Sequence, residues 1–373
     1  MYVPILTPFL TTQGMGATAT LVVIGVGTAV SAIFEIPTGR WADSYGRRKS
    51  LIAGTLLSAL AMITYATGDS LTQFCVAAAI LGFGTSLMVG ADAALLFETF
   101  ARLRISHLAK KADARARGIA GVFEASCSLV GAWLVVELGV EISTLLWVQA
   151  GLYAVAAAIA FVLYDPLSHD EIPSVGLVRK AVTNNKNLLW ALLFAATAGN
   201  LSFVLVWWTP VYYSEFSGLK IGEGAGGWIY SVYWALLLGS VFVWQTFIKR
   251  LSKMQWTSFS FMITATALCY GLLVVKPGLV AVGAIAITYF VRANIIPMSN
   301  QMLNEQIGDD RMRATIHSIS RTILWGSSAL IWWISSKVGE ISGSLLYGIA
   351  FAGVLVVSSA ALAMFQARTA IRA

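Results

Sequence analysis

Long uninterrupted apolar segments are the feature that most constrains how this chain can fold. Each is about 17 to 28 residues long, and a helix of about 20 residues crosses the roughly 30 Å of hydrocarbon in a bilayer. Eleven are visible, at residues 17–38, 51–67, 71–98, 118–137, 143–164, 187–213, 224–248, 256–275, 278–303, 314–337 and 341–366. The pattern predicts an all-α polytopic membrane protein.

The composition excludes a single soluble domain. A chain of 373 residues that is 58% hydrophobic and 12% charged cannot hide its apolar side chains inside one soluble core, so it needs a lipid bilayer. The net charge of +7 would suggest nucleic acid in a soluble protein, but here the distribution of charge matters more, and we expect no nucleic acid. Cys75, Cys127 and Cys269 lie singly in apolar segments, so we expect neither a disulfide nor a metal site.

A charged stretch, GRWADSYGRRKS, separates the first two long segments, at Gly39 to Ser50. Its basic residues do not belong in hydrocarbon, so we expect a loop at a membrane surface, with glycines that permit a tight reversal. The order is a glycine, an Asp four residues later, a second glycine after three more, and a basic pair. It closely resembles the signature loop between helices two and three of the major facilitator superfamily of secondary transporters. The matching residues are Gly39, Asp43, Gly46, Arg47 and Arg48.

The resemblance implies the fold of that superfamily, in which two six-helix bundles enclose a cavity. We expect eleven full spans plus a partial first helix, with bundles at residues 1–164 and 187–373 and a cytoplasmic linker at 165–186. The partial helix is the apolar run at residues 2–10, which at about 1.5 Å per residue crosses about half a bilayer. Either the protein begins upstream of Met1, or half of one cavity wall is missing.

The lysines and arginines predict the orientation. With the partial helix counted as the first, most of the 25 fall in loops on one side or in the tail, few fall on the other side, and Arg292 lies inside a segment. By the positive-inside rule the signature loop and the C-terminus are cytoplasmic. The resemblance implies that the membrane is the inner cell membrane of a bacterium.

Ionisable residues within the segments are costly and are therefore the first candidates for mechanism. Four carboxylates lie toward the cytoplasmic side: Glu35, Asp92, Glu98 and Glu124. One interpretation is that each pairs with a nearby arginine, among Arg47, Arg48, Arg102, Arg104 and Arg117. The other is a gate network or a proton-carrying site, in which Glu98, with Glu35 nearby, neutralises the basic pair of the signature loop.

The midplane residues are candidates for substrate contact. Arg292 is either a structural ion pair or a cavity residue that faces an anionic group, and an uncompensated charge at its depth costs roughly 2.5 to 3.5 kcal/mol. Asn200 shares a helical face with Trp207, and it either contacts substrate or joins two helices. Trp207 belongs to an aromatic cluster that is either an interfacial belt or a vestibule for an amphipathic substrate. Trp325 is too deep for a belt, so it packs against a helix or lines the cavity.

The resemblance also implies an inner gate. In the superfamily the signature loop meets the start of helix eleven when the inner side is closed, here around Arg313 to His317. Asp43 would face the unpaired N–H groups of that helix start, and Thr315 could cap the helix.

These features together predict a transporter and not an enzyme. The chain lacks the GxxxxGK[ST] phosphate-binding motif and needs no cofactor, so transport would be coupled to protons or another ion, or be plain facilitated diffusion. We expect a monomer that exports amphipathic small molecules by alternating access. The alternatives are uptake of an organic anion through Arg292, and a transport-incompetent sensor or scaffold.

Overall fold

The computed structural model describes residues 2–89, 91–105, 108–164, 175–216, 255–275, 279–308 and 312–372, and the parts it describes are helical. The helices of the first half are α1 (Tyr2–Thr12), α2 (Ala17–Tyr45), α3 (Arg47–Thr67), α4 (Leu71–Met88), α5 (Ala91–Arg102), α6 (Ala109–Val136) and α7 (Ile142–Val162). A short helix, α8 (Val175–Asn184), follows. The second half contains α9 (Lys186–Phe216), α10 (Gln255–Val275), α11 (Leu279–Glu305), α12 (Arg313–Ser342) and α13 (Leu345–Arg372).

Six of the described helices are long and apolar enough to cross a membrane by length and composition. Their apolar parts are Ala17–Ala42, Arg47–Thr67, Leu71–Met88, Ile142–Val162, Trp256–Val275 and Leu345–Ile371. The predicted segment at residues 224–248 lies outside the described residues.

The stretch between α2 and α3 is not the loop that the sequence predicted. Helix α2 continues through Gly39 to Tyr45, and the reversal takes place at Gly46, whose φ is 109° and ψ is 134°. Only glycine adopts such a conformation without steric cost. The charged residues extend the helices beyond the apolar stretch because helix formation does not require apolar side chains.

The predicted segment at residues 71–98 is also wrong as a single helix. Helix α4 ends at Met88, where Val89 takes an extended backbone, and a separate helix begins at Ala91. Asp92 lies in the first turn of α5, where a carboxylate interacts favourably with the helix dipole. Asp92 and Glu98 therefore belong to α5 and not to the end of a long span.

Small residues bring the helices of the first half into close contact. A Cβ atom on Gly82 would collide with the carbonyl oxygen of Gly27, so α2 and α4 touch backbone to backbone. Gly54 and Gly84 likewise bring α3 close to α4, because a Cβ atom on Gly54 would lie 2.6 Å from the Gly84 oxygen. Small residues are typical of helix contacts in membranes, where apolar burial alone gives no preference for protein over lipid.

Within the described parts of the chain, the two halves meet chiefly where α2 runs antiparallel to α12. A Cβ atom on Gly39 would lie 3.9 Å from Oγ of Ser318, and one on Gly326 would lie 3.9 Å from Cβ of Ala32. Farther toward the start of α2, a Cβ atom on Gly25 would meet no described atom within 4 Å. The contact thus lies toward the end of the bundle that carries Arg47, Arg48 and Lys49, called the basic end below.

Candidate functional site at the basic end

An ion pair crosses between the two halves beside this contact. One carboxylate oxygen of Glu35, on α2, lies 3.7 Å from a guanidinium nitrogen of Arg321, on α12. The Glu35 side chain is 2% exposed, whereas that of Arg321 is 37% exposed. A buried carboxylate requires a partner, and the second half of the chain supplies it.

This pair corrects the prediction that Glu35 pairs with the arginines of the first half or with the signature basic pair. Glu35 lies about three turns before the end of α2, on the face that also carries Ala32 and Gly39, and this face points to α12. Arg321 was not among the candidates predicted from the sequence, although it falls within the segment predicted at residues 314–337; it lies eight residues beyond the first residue of α12. A cation two turns inside a predicted membrane span was the signal that could have identified it.

The signature basic pair is engaged within the first half. A guanidinium nitrogen of Arg47 contacts a carboxylate oxygen of Glu98 on α5. Arg48 donates a hydrogen bond to the carbonyl oxygen of Leu163, which follows α7, at 3.2 Å. The structure therefore brings Glu98 and Arg47 together and uses both arginines to connect the start of α3 to its neighbours.

The start of α12 differs from the prediction in one respect. The helix begins at Arg313, and Met312 holds the N-cap position without a side-chain capping bond, so Thr315 lies inside the first turn and is not the cap. A ring nitrogen of His317 lies 2.9 Å from the side-chain oxygen of Asn304, which joins α12 to α11. Asp43 lies one helical turn beyond Gly39, so its backbone is in register with the first turn of α12.

Asn200 connects α9 to α12. Its side chain is buried, its amide nitrogen donates to Oγ of Ser327 at 2.7 Å, and its amide oxygen accepts a hydrogen bond from Ser328. Because both ends of the amide are engaged by α12, this geometry favours the interpretation that Asn200 joins two helices.

The remaining candidates are spread over several helices. Arg292 lies at the middle of the 27-residue helix α11, Trp207 lies in α9, and Glu124 lies in α6; their side chains, like that of Asp43, are outside the described part of the structure. Asp92 is exposed, and Trp325 is half-buried beside Gly326, which faces α2. Among the described residues no group of three or more His, Cys, Asp or Glu could hold a metal ion.

Comparison with known proteins identifies the family. The sequence model of the Major Facilitator Superfamily matches residues 1–332. The chain belongs to the major facilitator superfamily. It is therefore a multi-pass membrane protein of a transporter family, and the predicted fold class is confirmed. A search of curated proteins gives no match.

Solved transporters share this superfamily fold. The nucleoside transporter NupG matches with a TM-score of 0.70 and 14% identity, over 99% of this chain and 95% of that one. The D-xylose-proton symporter matches with a TM-score of 0.70 and 13% identity, over 98% and 91%. The E. coli fucose:proton symporter FucP matches with a TM-score of 0.58 and 16% identity, over 99% and 96%. At these identities the likeness establishes the fold alone.

Proposed function

We propose that this protein is a secondary transporter that moves a small molecule by alternating access of its two halves. The observation that carries the proposal is the contact of α2 with α12, which crosses between the halves and lies toward the basic end. A cavity that is shut at one end is one of the two states that alternating access requires. Membership of a transporter family supports the same conclusion.

The basic end is proposed to be cytoplasmic. Arg40, Lys49 and Lys180 are exposed, as expected for basic residues in water beside a membrane. The positive-inside rule then places this end and the C-terminus in the cytoplasm, with the protein in the inner membrane. The described state is accordingly closed to the cytoplasm.

For the substrate, we propose export of amphipathic small molecules. The support is the aromatic cluster that includes Trp207 near the end of α9, because aromatic faces attract apolar and cationic groups. A second candidate is proton-coupled uptake of a polar metabolite, which is favoured by the names of the fucose:proton and D-xylose-proton symporters. The two candidates differ in both substrate polarity and direction.

Transport in proteoliposomes distinguishes these candidates. The purified protein is reconstituted, a pH gradient of either sign is imposed, and the movement of a fluorescent amphipathic cation, a hexose and a nucleoside is measured in each direction. Accumulation of the cation on the side that corresponds to the outside supports export; uptake of the sugar or nucleoside with protons supports the second candidate. Rates equal to those of protein-free liposomes for every compound would favour the sensor or scaffold alternative.

A further inference from the structure

We propose that Arg321 locks the basic end shut by holding Glu35 across the boundary between the two halves, and we call this ion pair the latch. The inference rests on the proposed function, because a latch matters only if the halves separate at this end. The argument depends on how each partner is fixed to its own half and on the unequal burial of the two side chains.

Glu35 is fixed to the first half by hydrogen bonds about one turn away on either side. The hydroxyl of Ser31 donates to the carbonyl oxygen of Gly82 at 3.0 Å, and the hydroxyl of Thr38 donates to that of Ser86 at 2.9 Å. Both acceptors are on α4. Since α2 and α4 are bound together here, Glu35 moves with α4.

Arg321 is fixed to the second half in a similar way. Two turns farther along α12, Ser327 and Ser328 bind the amide of Asn200 on α9. Between them and Arg321, Leu324 packs against α9 so closely that a Cβ atom on Gly199 would lie 2.9 Å from its Cδ1 atom. Arg321 therefore moves with α9, and any separation of the halves at the basic end must pull Arg321 away from Glu35.

Among the side chains that the structure describes, the neighbouring helices offer Glu35 little charge to replace Arg321. Helix α4 has no Asp, Glu, Lys, Arg or His in its sequence. At the start of α3, Arg47 contacts Glu98, and on α12 His317 contacts Asn304. Arg321 is the cation that the structure places beside the buried carboxylate of Glu35.

The unequal burial predicts unequal effects of removing the two partners. Without Arg321, Glu35 in the shut state must either keep a buried, uncompensated charge or take up a proton, and opening avoids both costs. Without the Glu35 charge, Arg321 is still 37% exposed and keeps contact with water, so opening is favoured less. Arg321→Ala should therefore open the basic end more than Glu35→Gln, and adding Glu35→Gln to Arg321→Ala should restore part of the shut population.

Distances between spin labels can test whether Arg321→Ala opens the basic end more than Glu35→Gln does. Labels at Tyr45→Cys and Glu305→Cys report on the basic end, and labels at Gln13→Cys and Ile341→Cys report on the opposite end; all four positions are exposed. The natural cysteines, Cys75, Cys127 and Cys269, are replaced by alanine. Distance distributions are measured in nanodiscs without ligand and with the fluorescent amphipathic cation, the hexose or the nucleoside of the transport assay.

We expect Arg321→Ala to raise the ratio of open to shut basic ends by about tenfold or more. The exchange of Glu35→Arg with Arg321→Glu should return the ratio toward that of the parent, and Arg321→Lys should be intermediate because it keeps the charge and loses the planar fork. The matched control is Lys337→Ala, which removes an exposed pair with Glu340 on the same helix and should change no distance.

Two negative results have different meanings. If substrate moves the basic-end distance in the parent protein but Arg321→Ala and the exchanged pair both match the parent, the latch is wrong and alternating access stands. If the parent distance stays fixed under every substrate and pH, the proposed function itself fails. Should Arg321→Ala not fold, Arg321→Lys and the exchanged pair decide the question by the same comparison.

Discussion

Arg48, the second residue of α3, donates a hydrogen bond to the carbonyl oxygen of Leu163, the C-cap residue of α7, at 3.2 Å. The last carbonyls of a helix lack partners within the helix and carry partial negative charge, so a guanidinium there satisfies an acceptor and complements the helix dipole. The second arginine of the signature thus connects two helices of the first half.

Arg48→Ala is accordingly expected to destabilise the first half. A cation at a helix C-terminus contributes typically about 0.3 to 1 kcal/mol, and up to about 2 kcal/mol when partly buried. Thermal unfolding of the purified protein in detergent measures the effect. Lys49→Ala is the control, because Lys49 is the next residue and is exposed. Equal melting temperatures for the two variants would contradict the assignment.

Glu98→Gln is expected to loosen the basic end without unfolding the protein. It removes the charge that Arg47 contacts, and pairs near a surface contribute only about 0 to 1 kcal/mol, so the first half should stay folded while α3 and α5 separate more easily at the basic end. Cysteines introduced near the basic end should react faster with a membrane-impermeant maleimide. Asp92→Asn, at an exposed position on the same helix, is the control and should leave the rate unchanged.

Asp43→Asn is expected to slow transport while expression and substrate affinity stay nearly unchanged. In the register of α2 with α12, Asp43 lies opposite the first turn of α12, where a carboxylate gains typically about 0.3 to 1 kcal/mol from the helix dipole, and up to about 2 kcal/mol when partly buried. Loss of about 1.4 kcal/mol would shift the population about tenfold toward the state open at the basic end. Unchanged distances between labels across that end would exclude Asp43 from the gate.

Arg292 is expected to be required for transport. It lies at the middle of α11, where a charge costs roughly 2.5 to 3.5 kcal/mol unless a partner compensates it. Arg292→Ala should abolish uptake or export in proteoliposomes, and Arg292→Lys should retain part of it because the charge remains and the planar fork does not. If both variants fold and transport at the parent rate, Arg292 has no role in the cycle.

Asn200→Ala is expected to lower stability and to leave substrate affinity unchanged. The variant loses two hydrogen bonds between α9 and α12, each of which contributes about 0.5 to 1.5 kcal/mol. Thr197→Ala is the control, since the Thr197 hydroxyl donates within its own helix, to Leu193. A melting temperature like that of the control, combined with a raised KM, would instead indicate a substrate contact.

The glycine spacing and the apolar segments were enough to predict the fold class, because both are local properties of the chain. Hydrocarbon accepts only long apolar helices, and the reversal at Gly46 requires a residue that tolerates positive φ. The pattern did not predict that α2 continues to Tyr45, because charged residues can also be helical. It did not predict that α4 ends at Met88 either, because hydropathy reports the preference of side chains for lipid and not the backbone geometry.

The tertiary structure alone decided which basic residue pairs with Glu35. The sequence indicated that a charge at Glu35 costs free energy within an apolar segment, and it predicted the nearby arginines of the signature as partners. The rotation of α2 about its own axis determines which cation lies beside Glu35. The close contact of Gly27 with Gly82 fixes that rotation, because it holds one face of α2 against α4. That rotation turns Glu35 toward Arg321, a residue distant in sequence and in the other half of the protein.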